Sequence, residues 1–347
     1  MNSLSREFLS RLVITPELVQ IIRQLGEHKG RQDLVHLQSP EKLDNLRQVA
    51  IVQSVESSNR IEGVTASKER LTAIVRDQMT PQNRSEGEIA GYRDVLATIH
   101  AHAADISFTD SVVLQLHRDL MQYGSGSGGS WKTTQNEIEE TRADGSRFIR
   151  FIPTPPYQTA DAMRQLHENF RQALKDGVHD PLVLIALYIL DFLCIHPFLD
   201  GNGRMSRLLS VLALYHHGYE VGRYISLERI IEQTKESYYE TLFVSSQGWH
   251  DGRHQVIPWM SYWLGTVLAA YRELQHRVDS VVTGHGAKAD VVIAAIDSMV
   301  TSFTLAELQA ACPSVGRDWI RALLAQLKRD GRLIVEGRGR GAKWRKV

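Results

Sequence analysis

His196-Pro197-Phe198-Leu199-Asp200-Gly201-Asn202-Gly203-Arg204-Met205-Ser206-Arg207 lies between the two most apolar stretches of the chain. Before it, Asp180-Pro181 pairs a good N-cap with proline at the first helical position, and the run from Leu182 to Cys194 is apolar on every face. A helix without a polar side is buried, so 181–194 is expected to be the central helix of the fold. A second apolar helix is expected over Met205–His216. Two glycines around an asparagine at a helix start let backbone N–H groups converge on an anion. Arg204 and Arg207, three residues apart on one helix face, add fixed positive charge and bidentate donors suited to phosphate. Asp200 offers a carboxylate beside phosphate oxygens, the usual way to hold Mg²⁺, and His196 offers a proton acceptor at neutral pH. Each feature alone has an ordinary explanation: a helix end, a turn, a solvent-facing arginine pair. All of them in one loop between buried helices read as the parts for attack on a nucleotide phosphate.

Outward from the loop the pattern is helical. Apolar spacing predicts helices over 42–57, 86–101 and from Thr109 or Asp110 through Leu120, and helices resume at Thr159. Gly124–Ser130 contains only Gly and Ser and reads as a loop. After it, Ile138–Thr141 and Arg147–Ile152 flank Asp144-Gly145, a hairpin signal ended by Pro153, Pro155 and Pro156. Thr283-Gly284-His285-Gly286 marks a boundary. Beyond it, helices over 290–300, 304–311 and 316–330, then two small strands in 332–345, suggest a winged helix.

Composition narrows the class. The chain has 347 residues, 43% hydrophobic and 23% charged, an ordinary globular balance with room for one large core and a smaller domain. Forty basic residues match forty acidic ones, so the whole-chain charge indicates no partner. The local balance differs: from Pro313 onward ten basic residues face three acidic ones. Cys194 and Cys312 are far apart in apolar helical contexts, which fits buried thiols and neither a disulfide framework nor a metal site. The first twelve residues lack the apolar core of a signal peptide and no run reaches the length of a membrane span, so a cytoplasmic location is expected.

The central loop resembles the Fic/DOC family signature, His-Pro-Phe-x-Asp/Glu-Gly-Asn-Gly-Arg-x-x-Arg, at every defined position. Ser226, Ser237-Tyr238-Tyr239-x-x-Leu242, and Trp249 before Pro258-Trp259 look like the helices that follow it in that family. So does the region Lys132-x-x-x-Asn136-x-Ile138-Glu139 in its larger bacterial members. The likeness covers roughly 30–275, with a winged helix appended. It implies a mainly α fold: a Fic-type helical core with a β-hairpin flap, plus a C-terminal winged-helix domain. The expected division is 1–105 for an N-terminal helical region with an inhibitory motif, 106–275 for the catalytic core and 285–347 for the winged helix.

The resemblance implies a protein adenylyltransferase that moves AMP from ATP to a Ser, Thr or Tyr hydroxyl and releases pyrophosphate. His196 would be the general base and Asp200 the Mg²⁺ ligand. Gly201, Asn202 and Gly203 would hold the α- and β-phosphates, Arg204 the β- and Arg207 the γ-phosphate. Phe198 is expected to anchor the loop in the core. Phe148, Ile149 and Arg150 would belong to the flap that pairs with the target's backbone, since Phe148, Ile149 and Phe151 are apolar for an exposed edge without a partner. Tyr238 or Tyr239 would line the adenine pocket or pack in the core. Ser58-x-x-x-Glu62-Gly63 matches the family's inhibitory motif, with Ser58 and Glu62 one helical turn apart and Gly63 suited to end the helix. It implies that Glu62 pairs with Arg207 and spoils the γ-phosphate site. Rival readings are AMP removal with Glu62 orienting water, another nucleotide or phosphate transfer on the same fold, and a DNA-binding regulator with a Fic sensor core. The implied partners are a hydroxyl-bearing protein, the chain itself as a self-modification target, DNA or a protein at the winged helix, and a second copy of the chain; no membrane partner is expected.

Overall fold

Asp180 does what its place before Pro181 predicts: its carboxylate accepts from the Leu182 N–H at 2.8 Å and starts helix α8 (Pro181–Ile195). Every residue of α8 after Pro181 is buried. In chain order it follows α1 (Arg6–Ser10), α2 (Pro16–Gln38), α3 (Pro40–Ile61), α4 (Lys68–Val75), α5 (Arg84–His102), α6 (Asp110–Leu120) and α7 (Pro156–Asp176). It precedes α9 (Asn202–His216), α10 (Leu227–Gln233), α11 (Lys235–Ser246) and α12 (Ile257–Asp279). Strands β1 (Ile138–Thr141) and β2 (Arg147–Phe151) form an antiparallel pair between α6 and α7. The computed structural model describes residues 3–38, 40–124, 128–141, 146–279, 287–299, 302–312, 315–337 and 342–346. The fold is mainly helical, as the sequence predicts, and among the described residues no helix is long and apolar enough to cross a membrane.

Helices α7, α9 and α11 pack around α8. Trp259 of α12 donates its indole N–H to Ala186 O at 2.7 Å, so even the broad ring in this core has its polar atom satisfied. The buried carboxylate of Asp191 on α8 accepts from Ser3 N at 2.8 Å, Ser3 Oγ at 2.6 Å and Trp249 Nε1 at 2.6 Å. Burial pushes its pKa up to about 6 against the pull of those donors. Thr109 rather than Asp110 caps α6, accepting from Val112 N at 3.4 Å. Helix α9 begins at Asn202, three residues before the expected Met205, because left-handed Gly201 (φ +82°) turns the chain into the helix inside the loop itself.

Residues Met1–Leu274 and Gln275–Val347 form two compact units. The second contains α13 (Ala287–Ser298), β3 (Phe303–Thr304), α14 (Leu305–Ala311), α15 (Arg317–Arg329), β4 (Leu333–Glu336) and β5 (Lys343–Lys346). Its sheet order is β3-β5-β4, all antiparallel, with Ile334 opposite Arg345 and Glu336 opposite Lys343. Ile320, Leu323, Leu324 and Leu327 of α15 join Val292, Phe303 and Leu308 in its core. Cys194 and Cys312 are buried free thiols. The predicted turn Asp144-Gly145, the boundary 283–286 and Pro313 lie outside the described residues.

Candidate functional site

Helix α8 stops at His196, whose backbone is left-handed (φ +51°, ψ 62°) ahead of Pro197, while its N–H still donates to Phe192 O at 2.9 Å. A non-glycine residue held there is strained by about 1 kcal/mol or more and must be fixed by its surroundings. The ring does part of this: Nδ1 lies 3.2 Å from Leu193 O. A carbonyl only accepts, so Nδ1 carries the proton and Nε2 keeps its lone pair. The ring lines a cavity of about 390 Å³. Burial holds its pKa down to about 4 and nearby Lys132 pushes the same way, so the imidazole is neutral at neutral pH.

The loop beyond is braced from within and from outside. Asn202 Oδ1 accepts from Phe198 N at 2.9 Å and its Nδ2 donates to Phe198 O at 2.7 Å. Its side chain therefore closes the loop, and only its backbone N–H faces the task of holding phosphate. Phe198 is fully buried, as expected, and stacks on His117 with ring centroids 3.6 Å apart. His117 accepts from Gly129 N at 3.0 Å through Nδ1 and donates from Nε2 to Asp200 O at 3.1 Å. Lys132 is buried. Its N–H donates to Pro197 O at 2.8 Å, and its Nζ donates to Ile195 O at 3.1 Å and Asn136 Oδ1 at 2.8 Å. Asn136 Nδ2 in turn donates to Phe198 O at 2.9 Å. Burial lowers the Lys132 pKa to about 8.

Next comes the first turn of α9, whose N–H groups have no intrahelical acceptor and carry the positive end of the helix dipole. Arg204, 1% exposed, donates to Glu88 Oε2 at 2.7 Å and Asp200 Oδ1 at 3.2 Å. Arg207 donates from Nε to Ser58 Oγ at 2.8 Å, and from Nη2 to Ser58 O at 2.9 Å and Glu62 Oε1 at 2.8 Å. Its buried Nη1 has no hydrogen-bond partner among the described residues. Helix α3 ends at Ile61, one residue before Glu62, and left-handed Gly63 (φ +80°) completes the turn that presents the glutamate. A Cβ at Gly203 would collide with Glu62 Oε1, so the carboxylate rests against the first turn of α9, where an anion is best received.

The cavity lining brings together His196, Asp200, Gly201, Asn202, Gly203 and Glu62 with Arg150, Phe151, Tyr238 and Tyr239, but does not include Arg204 or Arg207. Both tyrosines reach the cavity, and Tyr238 is also buried against Trp259. Two of the three apolar flap residues are covered within the chain, contrary to the expectation of an uncovered edge. Phe148 packs edge-on against Phe243 at 6.0 Å, and Phe151 stacks on His250 at 5.4 Å. The Arg150 guanidinium covers Phe243 at 4.8 Å and donates to Tyr239 O at 3.2 Å. Of the apolar residues counted as lacking a partner, Ile149 is the one left exposed, at 44%. Asp200 is half exposed, with Oδ1 accepting from Gly201 N at 2.6 Å and Oδ2 from Arg84 Nη2 at 3.3 Å. One hard carboxylate at an open wall fits Mg²⁺, which keeps several waters and takes phosphate oxygens.

Sequence reasoning missed Glu88 and Arg84, which sit on α5 and hold Arg204 and Asp200 across 116 residues. It also missed His117, and it quoted Lys132 and Asn136 without a role. The lysine's position before the hairpin was the available signal for the last two.

Residues 107–214 match the Fic/DOC family. The protein adenylyltransferase Fic of Drosophila mojavensis is 25% identical over 257 residues, 71% of this chain and 48% of the relative. The chain thus spans about half the length of the curated relatives it matches. A Fic family protein from Desulfovibrio desulfuricans G20 has the same fold, with a TM-score of 0.64 and 22% identity over 97% of each chain. A Fic domain-containing signaling protein from Bacteroides thetaiotaomicron follows with a TM-score of 0.60 and 20% identity, over 74% of this chain and 97% of that one.

Proposed function

We propose that this chain, which carries a domain of the Fic/DOC family at residues 107–214, transfers AMP from ATP to a protein hydroxyl and is held in check by Glu62. The observation that carries the reading is one cavity whose lining joins a neutral histidine with a free Nε2 to Asp200, to the start of α9 at Asn202 and Gly203, and to Glu62, the carboxylate that Arg207 holds. Phosphoryl-type transfer asks a protein mainly for positioning and charge stabilisation, and this lining supplies both. The N–H groups of Asn202 and Gly203 hold the α- and β-phosphates beside Gly201, whose own N–H donates to Asp200 Oδ1 and would have to leave it to join them, with Arg204 and Arg207 serving the β- and γ-phosphates. Asp200 would hold Mg²⁺, which would supply charge neutralisation at the phosphates. The target oxygen attacks the α-phosphorus, the bond from that phosphorus to the bridging oxygen breaks, and pyrophosphate leaves. The hydroxyl proton goes to His196 Nε2. Backbone pairing with β1–β2 would register the target, and Tyr238 and Tyr239 would flank the adenine.

Glu62 engages the guanidinium that the γ-phosphate needs and puts its own charge at the first turn of α9. The resting chain is therefore inhibited, with ATP seated in a pose that does not place the α-phosphorus in line. The test compares wild type, Glu62→Gly, and Glu62→Gly with His196→Ala, each with Mg²⁺ and ATP labelled in the α-phosphate, following label on protein. Strong labelling by Glu62→Gly alone supports transfer, brake and base together. ATP binding without labelling of the chain or of any lysate protein would turn the reading toward AMP removal.

A further inference from the structure

Independently of the reaction at His196, the second unit carries a surface that the catalytic reading does not use. Helix α15 is strongly two-sided. Ile320, Leu323, Leu324 and Leu327 face the core, and Asp318, Arg321, Ala322, Ala325, Gln326 and Arg329 face solvent. Arg317 and Lys328 are exposed at its two ends. Gly316 caps it without a side-chain hydrogen bond, and its carbonyl accepts from Trp319 N at 3.0 Å and Ile320 N at 3.1 Å. The strand pair that follows continues the charge. Arg332, Lys343, Arg345 and Lys346 are exposed, and Lys343 and Arg345 share a sheet face with Ile334 and Glu336.

We infer that the exposed face of α15 and the β4–β5 strand pair form a binding surface for double-stranded DNA. Three features select this partner. First, a protein interface is built around aromatic or large aliphatic anchors. The exposed large hydrophobic residues described in this unit are Val291 and Ile334, and neither lies on α15. Second, the middle of the exposed helix face is small, at Ala322 and Ala325, and flanked by Arg321 and Gln326. A helix about 10–12 Å across with a small central face can seat deeply in a major groove about 12 Å wide, where Arg reads guanine, Gln reads adenine and Ala meets the thymine methyl. The deep, narrow major groove of an RNA duplex does not admit it. Third, α14 packs on α15 through a short connection, the helix-turn-helix order that places its second helix in the groove and leaves the strand pair for the phosphates.

If about six of the eight exposed cations named above reach phosphates, log K should fall with log salt at a slope of about −5. That is a loss of about 10³-fold between roughly 50 and 200 mM salt. The test uses the full-length chain and a fluorescent mixed-sequence duplex of about 30 base pairs, followed by anisotropy across that salt range. Lys343→Gln with Arg345→Gln should lower the slope by about 2 and weaken binding about 10- to 100-fold at the lowest salt. Ala325→Glu, at the centre of the exposed face, should weaken it at least as much. Unchanged far-ultraviolet dichroism and thermal melting keep that loss from being read as unfolding. The inference is overturned by absence of duplex binding at low salt, by binding that neither variant weakens, or by equal affinity for single-stranded RNA. The adenylylation assay on the same samples reads the other site separately.

Discussion

Replacing Glu62 with Gln keeps the shape of the Arg207 contact and removes its charge. Arg207 is 3% exposed on its side chain and Glu62 is 32% exposed. Exposed ion pairs contribute about 0–1 kcal/mol, and breaking a fully buried one costs about 3–5 kcal/mol. Water reaches one partner here, so the pair falls between these limits, at about 2 kcal/mol. A triphosphate whose γ-phosphate needs Arg207 must displace that interaction and approach a carboxylate resting beside Gly203. AMP carries no such group. Titration calorimetry with Mg²⁺ and a non-transferable ATP analogue should therefore show Glu62→Gln binding about 30-fold tighter than wild type, since 1.4 kcal/mol is about tenfold. AMP affinity should change by less than about 3-fold. In an Arg207→Met background the gain for the ATP analogue should shrink, because the two residues act as a pair. Equal gains for AMP and ATP, or none for ATP, would refute competition at Arg207.

Three further outcomes follow from the same geometry. In the Glu62→Gly background, turnover should stay level through the neutral range and fall only as pH drops through about 4, because His196 loses its free Nε2 when it gains a proton there; a rate that halves near the ordinary histidine pKa would contradict the buried, neutral imidazole. Lys132→Met removes the Nζ brace on Ile195 O and Asn136, and should lower turnover about 10- to 100-fold with little change in nucleotide affinity, since small misplacements of a base cost that much; an unchanged rate would show that the loop holds its shape without it. Asp191 has its pKa raised from 3.8 to about 6. Its neutral form is favoured by folding, so its contribution is full at acid pH and is lost as pH rises through about 6, a difference of about 3 kcal/mol. Asp191→Asn should therefore gain melting temperature relative to wild type on going from about pH 4 to about pH 8, and a constant gap between the two would count against the raised value.

The sequence made the loop legible because its chemistry is local. His196, Asp200, Asn202 and the arginines fall within twelve residues, and the apolar runs on both sides announce buried helices. Glu62 and Ser58 were also readable, since the motif that carries them fits one helical turn and its partner arginine lies in the loop. What holds the loop was not readable. Glu88 reaches Arg204 from 116 residues away, and Ser3 reaches Asp191 across 188. A lone glutamate on a helix or a serine near the chain start carries no pattern that a sequence can show; only the packing of α5 against α9, and of Ser3 ahead of α1 against α8, brings them in. The role of the Asn202 side chain was hidden differently. Its place between glycines points to phosphate, but its amide is engaged by Phe198. The exposed-edge argument for Phe148 and Phe151 failed because Phe243 and His250, about a hundred residues on, cover them.

The central claim is that AMP, and not a phosphoryl group, moves to protein. The most direct measurement incubates Glu62→Gly with Mg²⁺ and ATP labelled in either the α- or the γ-phosphate, with lysate protein as acceptor. Label should appear on protein from the α-position alone, with labelled pyrophosphate released from the γ-position. Protein label from the γ-position, or from neither while the nucleotide still binds, would contradict it.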